Sequence, residues 1–185
     1  MNVMIDLETM GTGPRSAIVA IGAVEFDPAG DELGRQFYIP VDLASSVAAG
    51  MTMDPDTVLW WLKQGDAARA ELTAADRMPL AHALQALARF LAGEDGKTKR
   101  DQRILWANGT SFDLPILAEA YRLCALPDPW MYYNERDWRT LRKTLPPVDH
   151  ERIGTHHDAL DDAIHQAQHL QRVMARLNSE VPPCD

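Results

Sequence analysis

The chain is short of the residues that mark a secreted or membrane protein. Its two cysteines, Cys124 and Cys184, are too few for a disulfide framework and are not spaced as metal ligands. Cys124 lies in an apolar-periodic segment and reads as a small core residue. No apolar run approaches the roughly 20 residues that span a bilayer, so no membrane association is expected. The opening Met1-Asn2-Val3-Met4-Ile5-Asp6 has no basic stretch and reaches an acid at once, unlike a signal peptide, so a cytosolic setting is expected. Positive charge is also scarce: 18 Lys and Arg stand against 27 Asp and Glu, a net charge of −9. That balance disfavours generic coating of nucleic acid. It leaves room for an enzyme whose clustered carboxylates hold divalent cations, because bound ions reverse the local sign. What positive charge exists is concentrated at Lys97, Lys99, Arg100 and Arg103, and at Arg136, Arg139, Arg142 and Lys143. Both stretches read equally well as solvated faces. Three enzyme signatures are missing. Gly11-Thr12-Gly13 lacks the third glycine of a dinucleotide loop, no G-x-S-x-G elbow occurs, and His150-Glu151 followed by His156 misses the zinc spacing H-E-x-x-H.

What the chain does have is a folding composition, 46% apolar and 24% charged, with no repeat or linker. One domain over 1–178 is expected, with 179–185 a frayed tail. Val3 to Glu8, Ala17 to Phe26 and Gln36 to Val41 read as three strands joined by hairpin-like turns, hence antiparallel. Asp54-Pro55 opens a helix that Gly65 should close. Leucines at 80, 84, 87 and 91 mark one helical face, ended by Gly93. Arg103 to Ala107 reads as a buried strand, Ser111 to Cys124 as a helix and Met131 to Glu135 as the last strand. A closing helix, about 158–178, carries an apolar stripe at Ala163, Ala167, Leu170, Met174 and Leu177. The order implies an α/β fold: a mixed sheet, antiparallel in its first three strands, flanked by helices.

Three constellations carry chemistry. Asp6 and Glu8 share one face of the first strand, because strand side chains alternate. Adjacent carboxylates repel unless a cation lies between them, and all-oxygen ligands suit Mg²⁺ or Mn²⁺. The second is Asn108-Gly109-Thr110-Ser111-Phe112-Asp113, a strand-to-helix turn in which Thr110 and Asp113 also fit a capping box. The third is His157-Asp158-Ala159-Leu160-Asp161-Asp162-Ala163, where acids suit a helix N-terminus but the preceding His156 and His157 are unexplained by capping. Spacing does not choose between the two histidines. Trp60 and Trp61 could stack bases, but adjacent helical residues face different ways, so one of them belongs to the core.

As a set these motifs resemble the DEDDh branch of the DEDD exonucleases, the ribonuclease T-like superfamily. D-x-E-T matches Asp6, Glu8 and Thr9; the asparagine before an aspartate matches Asn108 and Asp113; H-x-A-x-x-D-A matches His157, Ala159, Asp162 and Ala163, and selects His157. Segments 6–13, 57–64, 134–141 and 157–163 are similar to a small bacterial and phage group in this branch. That group contains the T-even phage exonuclease A and a mycobacterial exoribonuclease, one acting on DNA and the other on RNA. The resemblance implies a ribonuclease H-like fold and 3′→5′ hydrolysis of single-stranded nucleic acid from its 3′ end, releasing nucleoside 5′-monophosphates. It implies a bacterial or phage-encoded protein of the cytoplasm, and leaves a homodimer open. It implies two Mg²⁺ or Mn²⁺ ions held by Asp6, Glu8, Asp113 and Asp162, with Asp6 shared between them and His157 as base. Thr9, Met10, Asn108 and Phe112 would contact substrate. Asp158, beside His157, would raise the histidine's pKa. The alternative is a non-catalytic nucleic-acid or protein-binding module on the same fold; intact acidic positions argue against it.

Overall fold

The first strand organises the molecule. In the computed structural model, which describes residues 1–73, 75–109 and 111–180, β1 (Asn2–Thr9) is the middle of a five-stranded sheet. It pairs antiparallel with β2 (Ile18–Phe26), which pairs antiparallel with β3 (Leu33–Pro40). On its other side it runs parallel to β4 (Ile104–Ala107), and β4 runs parallel to β5 (Glu135–Asp137). The sheet order is β3-β2-β1-β4-β5, the mixed arrangement expected from the sequence.

Alternation along β1 divides the core in two. Val3, Ile5 and Leu7 join a large cluster with Leu84, Leu87, Leu91, Leu114 and Leu117. These leucines belong to α4 (Leu80–Leu91) and α5 (Asp113–Leu123). Cys124 packs against the same cluster. Met4 faces the other way, with Val24, Phe26 and Trp106, and is covered by Ala163, Ala167, Leu170 and Val173 of α7 (Ala159–Glu180). Asp6 and Glu8 lie further along that second face, where the apolar stripe of α7 gives out and its first turn begins.

Gly22 sets how closely α7 approaches. It pairs with Asp6 across β1 and β2, and a Cβ there would lie 2.1 Å from the backbone of Ala159. Only hydrogen fits. The first turn of α7 therefore rests on the β2 backbone, directly beside Asp6.

Several short elements depart from the sequence reading. α1 (Leu43–Ala48) is capped by Asp42, and α6 (Trp138–Thr144) by Asp137, which accepts the Thr140 N–H at 2.9 Å. α2 (Pro55–Trp61) starts on Asp54 as expected, but Gly65 does not close it: Gly65 is the N-cap of α3 (Asp66–Leu72). The last strand lies at 135–137 rather than 131–135, because Tyr132–Asn134 coil into a 3₁₀ turn closed by the Asn134 N–H on the Met131 carbonyl at 2.8 Å. Ser179 and Glu180 lie within α7. Thr110, expected to cap α5, and Cys184, with the rest of 181–185, lie outside the described residues. No helix is long and apolar enough to cross a membrane among the described residues.

The contact at Gly22 yields a direct expectation. Gly22→Ala must push α7 off the sheet, and should cost about 2 kcal/mol or more. For a chain of this size that is a fall in Tm of roughly 4–8 °C, measurable by calorimetry. A variant with unchanged Tm would show that α7 yields freely.

Candidate active site

Beyond residue 107 the chain leaves β4, while β1 continues. β1 pairs with β4 only through Asn2, Val3 and Met4, so a crevice opens past the carboxyl end of β4, a location where open α/β sheets commonly bind ligands. The first turn of α5 fills one side of it. Asp113 reaches across, and its Oδ1 accepts the Leu7 N–H at 3.1 Å, a β1 donor that β4 no longer serves. One bond thus fixes Asp113, 3% exposed, beside Asp6 and Glu8.

The opposite wall is the start of α7. Asp158 caps the helix, its Oδ1 accepting from the Leu160 and Asp161 N–H groups at 3.0 and 2.9 Å. Asp162, one turn on, turns back toward the loop. Its Oδ2 accepts the His157 N–H at 3.1 Å, and its Oδ1 is 2.5 Å from Arg152 Nη2. His157 has φ +64°, a left-handed conformation that a non-glycine residue adopts only where its surroundings impose it. The imidazole is wedged against indoles, with centroids 4.8 Å from Trp60 and 6.0 Å from Trp61. Trp61 is core, its Nε1–H on the Thr9 carbonyl at 2.9 Å, while Trp60 is 41% exposed at the cavity edge.

These groups line one cavity of about 740 Å³. Asp6, Glu8, Thr9, Asn108, Phe112, Asp113, His157 and Asp162 all reach it. Met10 does not: β1 ends at Thr9 and its register shifts between Glu8 and Thr9, so alternation no longer holds and the Met10 side chain, 4% exposed, turns into the core under β1. His156 also lines the cavity but is exposed. Sequence reasoning missed Gln166, whose Nε2 donates to Asp6 Oδ1 at 2.7 Å. It is four residues after Asp162, one turn along the same face, and that spacing was the available signal. It also missed Arg152, which no periodicity marks. Arg139 and Arg142 come from the second basic stretch and line the cavity, so that stretch is not merely a solvated face. In the first stretch Arg103 is 8% exposed and braces the Thr98 and Pro129 carbonyls.

The electrostatics are those of crowded acids. Burial, then Asp113, Glu8 and Asp162 in turn, hold the Asp6 carboxyl well above the usual range; Gln166 opposes this. Asp113 is pushed up to about 7, chiefly by burial, against the Leu7 hydrogen bond and Arg139. Burial lowers the His157 pKa, and the charge that opposes it is Asp162. The expectation that Asp158 raises it fails, because the Asp158 carboxylate is committed to the helix N-terminus. The donors suit a hard divalent cation. Ligand atoms of Glu8, His157 and Asp162 lie within 4.8 Å of one another. Gln166 Oε1 and Asn108 Oδ1 are buried with no protein donor.

Comparison with known proteins agrees with this geometry. A family model described as the 3′-5′ exoribonuclease Rv2179c-like domain matches residues 1–174. The exodeoxyribonuclease of enterobacteria phage T4 is 28% identical over 165 residues, covering 77% of this chain and 70% of that protein. Among solved structures, E. coli exonuclease I in complex with a dT13 oligonucleotide matches with a TM-score of 0.65 at 15% identity, over 96% of this chain and 42% of that one. This chain therefore spans about two fifths of that protein's length. The nuclease domain of 3′hExo, a DEDDh family member bound to rAMP, matches with a TM-score of 0.58 at 16% identity, over 97% and 92% of the two chains. The sheet and its helices are the ribonuclease H-like fold of DEDDh exonucleases.

The raised Asp113 carboxyl makes a prediction for the protein without added metal. Between its ordinary value of 3.8 and about 7, the folded chain keeps a proton that the unfolded chain releases. Wild-type stability from this group is therefore lost as pH rises through that window. Asn cannot ionise and retains an acceptor for the Leu7 N–H. Asp113→Asn should match wild type in Tm near pH 4.5 and exceed it by about 3 °C or more at pH 8, equivalent to ~1 kcal/mol. Equal Tm values at pH 8 would mean that Asp113 is not under strain.

Proposed function

The chain belongs to the family of Rv2179c-like 3′-5′ exoribonuclease domains, and from that premise we propose that it removes nucleotides from the 3′ end of single-stranded nucleic acid, releasing nucleoside 5′-monophosphates. Residues 1–178 form its single exonuclease domain in this reading. The observation that carries it is the convergence of Asp6, Glu8, Asp113 and Asp162 on one cavity with His157 at its edge.

Asp6, Glu8, Asp113 and Asp162 would hold two Mg²⁺ or Mn²⁺ ions. Such ions supply Lewis acidity toward phosphate oxygens and an acidified water. The protein's own groups do the rest. Gln166 orients Asp6, and the Leu7 N–H orients Asp113. The His157 ring nitrogen takes the proton of the attacking water. Burial keeps that imidazole neutral near pH 7, the form a base requires, and the two indoles hold its plane. Thr9 lines the cavity and donates its hydroxyl to the Gly11 carbonyl at 2.7 Å, so its oxygen remains an acceptor. Phe112 offers a ring face for the terminal base or sugar, and the Asn108 amide offers polar contacts. Arg139 and Arg142 offer charge for phosphates. DNA and RNA both fit this chemistry, and digestion of matched, end-labelled strands decides between them.

Hydrolysis should require Mg²⁺ or Mn²⁺ and stop in chelator; full activity in EDTA would end the metal-ion reading. A 3′-phosphate should block digestion, and a circular single strand should survive, whereas fragments from the circle would indicate an endonuclease. His157→Ala should lose roughly 10²–10⁴-fold in rate at saturating Mn²⁺ while keeping the Mn²⁺-induced rise in Tm. His156→Ala should stay near wild type. Asp162→Ala should lose both rate and the Tm response. A near-normal rate in His157→Ala would remove the base assignment and leave the metal site standing.

A further inference from the structure

Asp162 is already engaged at both oxygens. Oδ2 accepts the His157 N–H, and Oδ1 is paired with the Arg152 guanidinium. The pair is shielded, with side chains 18% and 15% exposed for Arg152 and Asp162. A divalent ion and a guanidinium repel each other strongly at such range. We infer that Arg152 is a positioning residue that competes with a divalent ion for Asp162, and that the nucleic acid resolves the competition by offering the displaced guanidinium a backbone phosphate oxygen. The inference rests on the proposed metal-dependent exonuclease reading.

The surrounding geometry allows the guanidinium to move while its loop stays. The loop is tied to α7 through the neighbouring acid, Asp161, whose Oδ2 accepts the Thr155 N–H at 2.7 Å. Gly154, with φ +94°, packs so closely on Asp161 that a Cβ would lie 2.5 Å from its Cγ. Asp161 thus holds the loop, while Asp162 and the Thr155 carbonyl, which accepts from Arg152 Nη2 at 2.8 Å, hold the side chain, so releasing Asp162 does not undo the loop's own tie. Arg152 also lines the cavity with Arg139 and Arg142. Its Nε is buried and has no protein acceptor, so one donor of the fork is unused where a phosphate would supply oxygens. A planar guanidinium fits phosphate through paired N–H groups.

Competition for one carboxylate and a shared phosphate make metal and nucleic acid bind cooperatively, each tightening the other by the same factor. The test is a calorimetric titration of Mn²⁺ into the wild-type chain and into Arg152→Gln, without nucleic acid. Arg152→Gln should bind Mn²⁺ about 10-fold more tightly, as expected for loss of a competing charge worth ~1.4 kcal/mol. In the His157→Ala background, which should bind without rapid turnover, adding Arg152→Gln should weaken single-stranded oligonucleotide binding in Mn²⁺ about 10-fold. Equal or weaker Mn²⁺ binding by Arg152→Gln overturns the inference and leaves the nuclease reading intact. Absence of Mn²⁺ binding in both chains overturns the nuclease reading, and this inference with it. If Arg152→Gln does not fold, His157→Ala alone decides: its Mn²⁺ affinity should rise when the oligonucleotide is added, and an unchanged affinity overturns the coupling.

Discussion

Like charges forced together at the end of β1 are the constraint from which the rest follows. Asp6 and Glu8 share a strand face, Asp113 is drawn to them by the Leu7 N–H, and Asp162 arrives on α7. Isolated carboxylates in such a place are destabilising. Burial and crowding raise the affinity of Asp6 and Asp113 for protons, and a divalent cation among them would relieve the same repulsion. The apolar half of the same face supplies the compensation: Met4, Val24 and Trp106 pack under α7 and hold its acidic first turn against the sheet.

Much of the frame was legible because its signals are long. β1 and β2 carry sustained apolar character, α4 repeats leucine on one face over about three turns, and α7 carries its stripe from Ala163 to Leu177, about four turns. α1, α3 and α6 were not legible, since helices of six or seven residues hardly complete two turns of any period. Their caps, Asp42 and Asp137, resemble ordinary loop acids. β5 was misplaced because Tyr132-Tyr133 is β-prone, whereas the structure leaves Tyr132 80% exposed on a turn.

At the site, residue types in motif order led to Asp6, Glu8, Asp113, His157 and Asp162, but local spacing alone did not distinguish capping from chemistry. In the structure the neighbouring acids are used differently: Asp158 caps, Asp161 ties down a loop, and Asp162 lines the cavity. Such a division depends on how one helical turn meets a loop, and no linear pattern encodes it. Arg152 was hidden for the same reason. Met10 illustrates the converse: strand phase would group it with Asp6 and Glu8, but the irregularity at Glu8 and Thr9 breaks that phase and sends it into the core.

The bond from Gln166 to Asp6 joins positions 160 residues apart. During synthesis the β1 acids leave the ribosome well before the helix that completes their surroundings, by the 160 residues that separate Asp6 from Gln166. Contacts of such sequence separation also form late, because closing the intervening chain costs entropy. A nascent chain therefore holds Asp6, Glu8 and Asp113 before His157, Asp162 and Gln166 arrive, and the cavity they share is incomplete until then. The wall of the cavity is complete only once the first turn of α7 rests on Gly22, which ties assembly of the whole cluster to one helix–sheet contact.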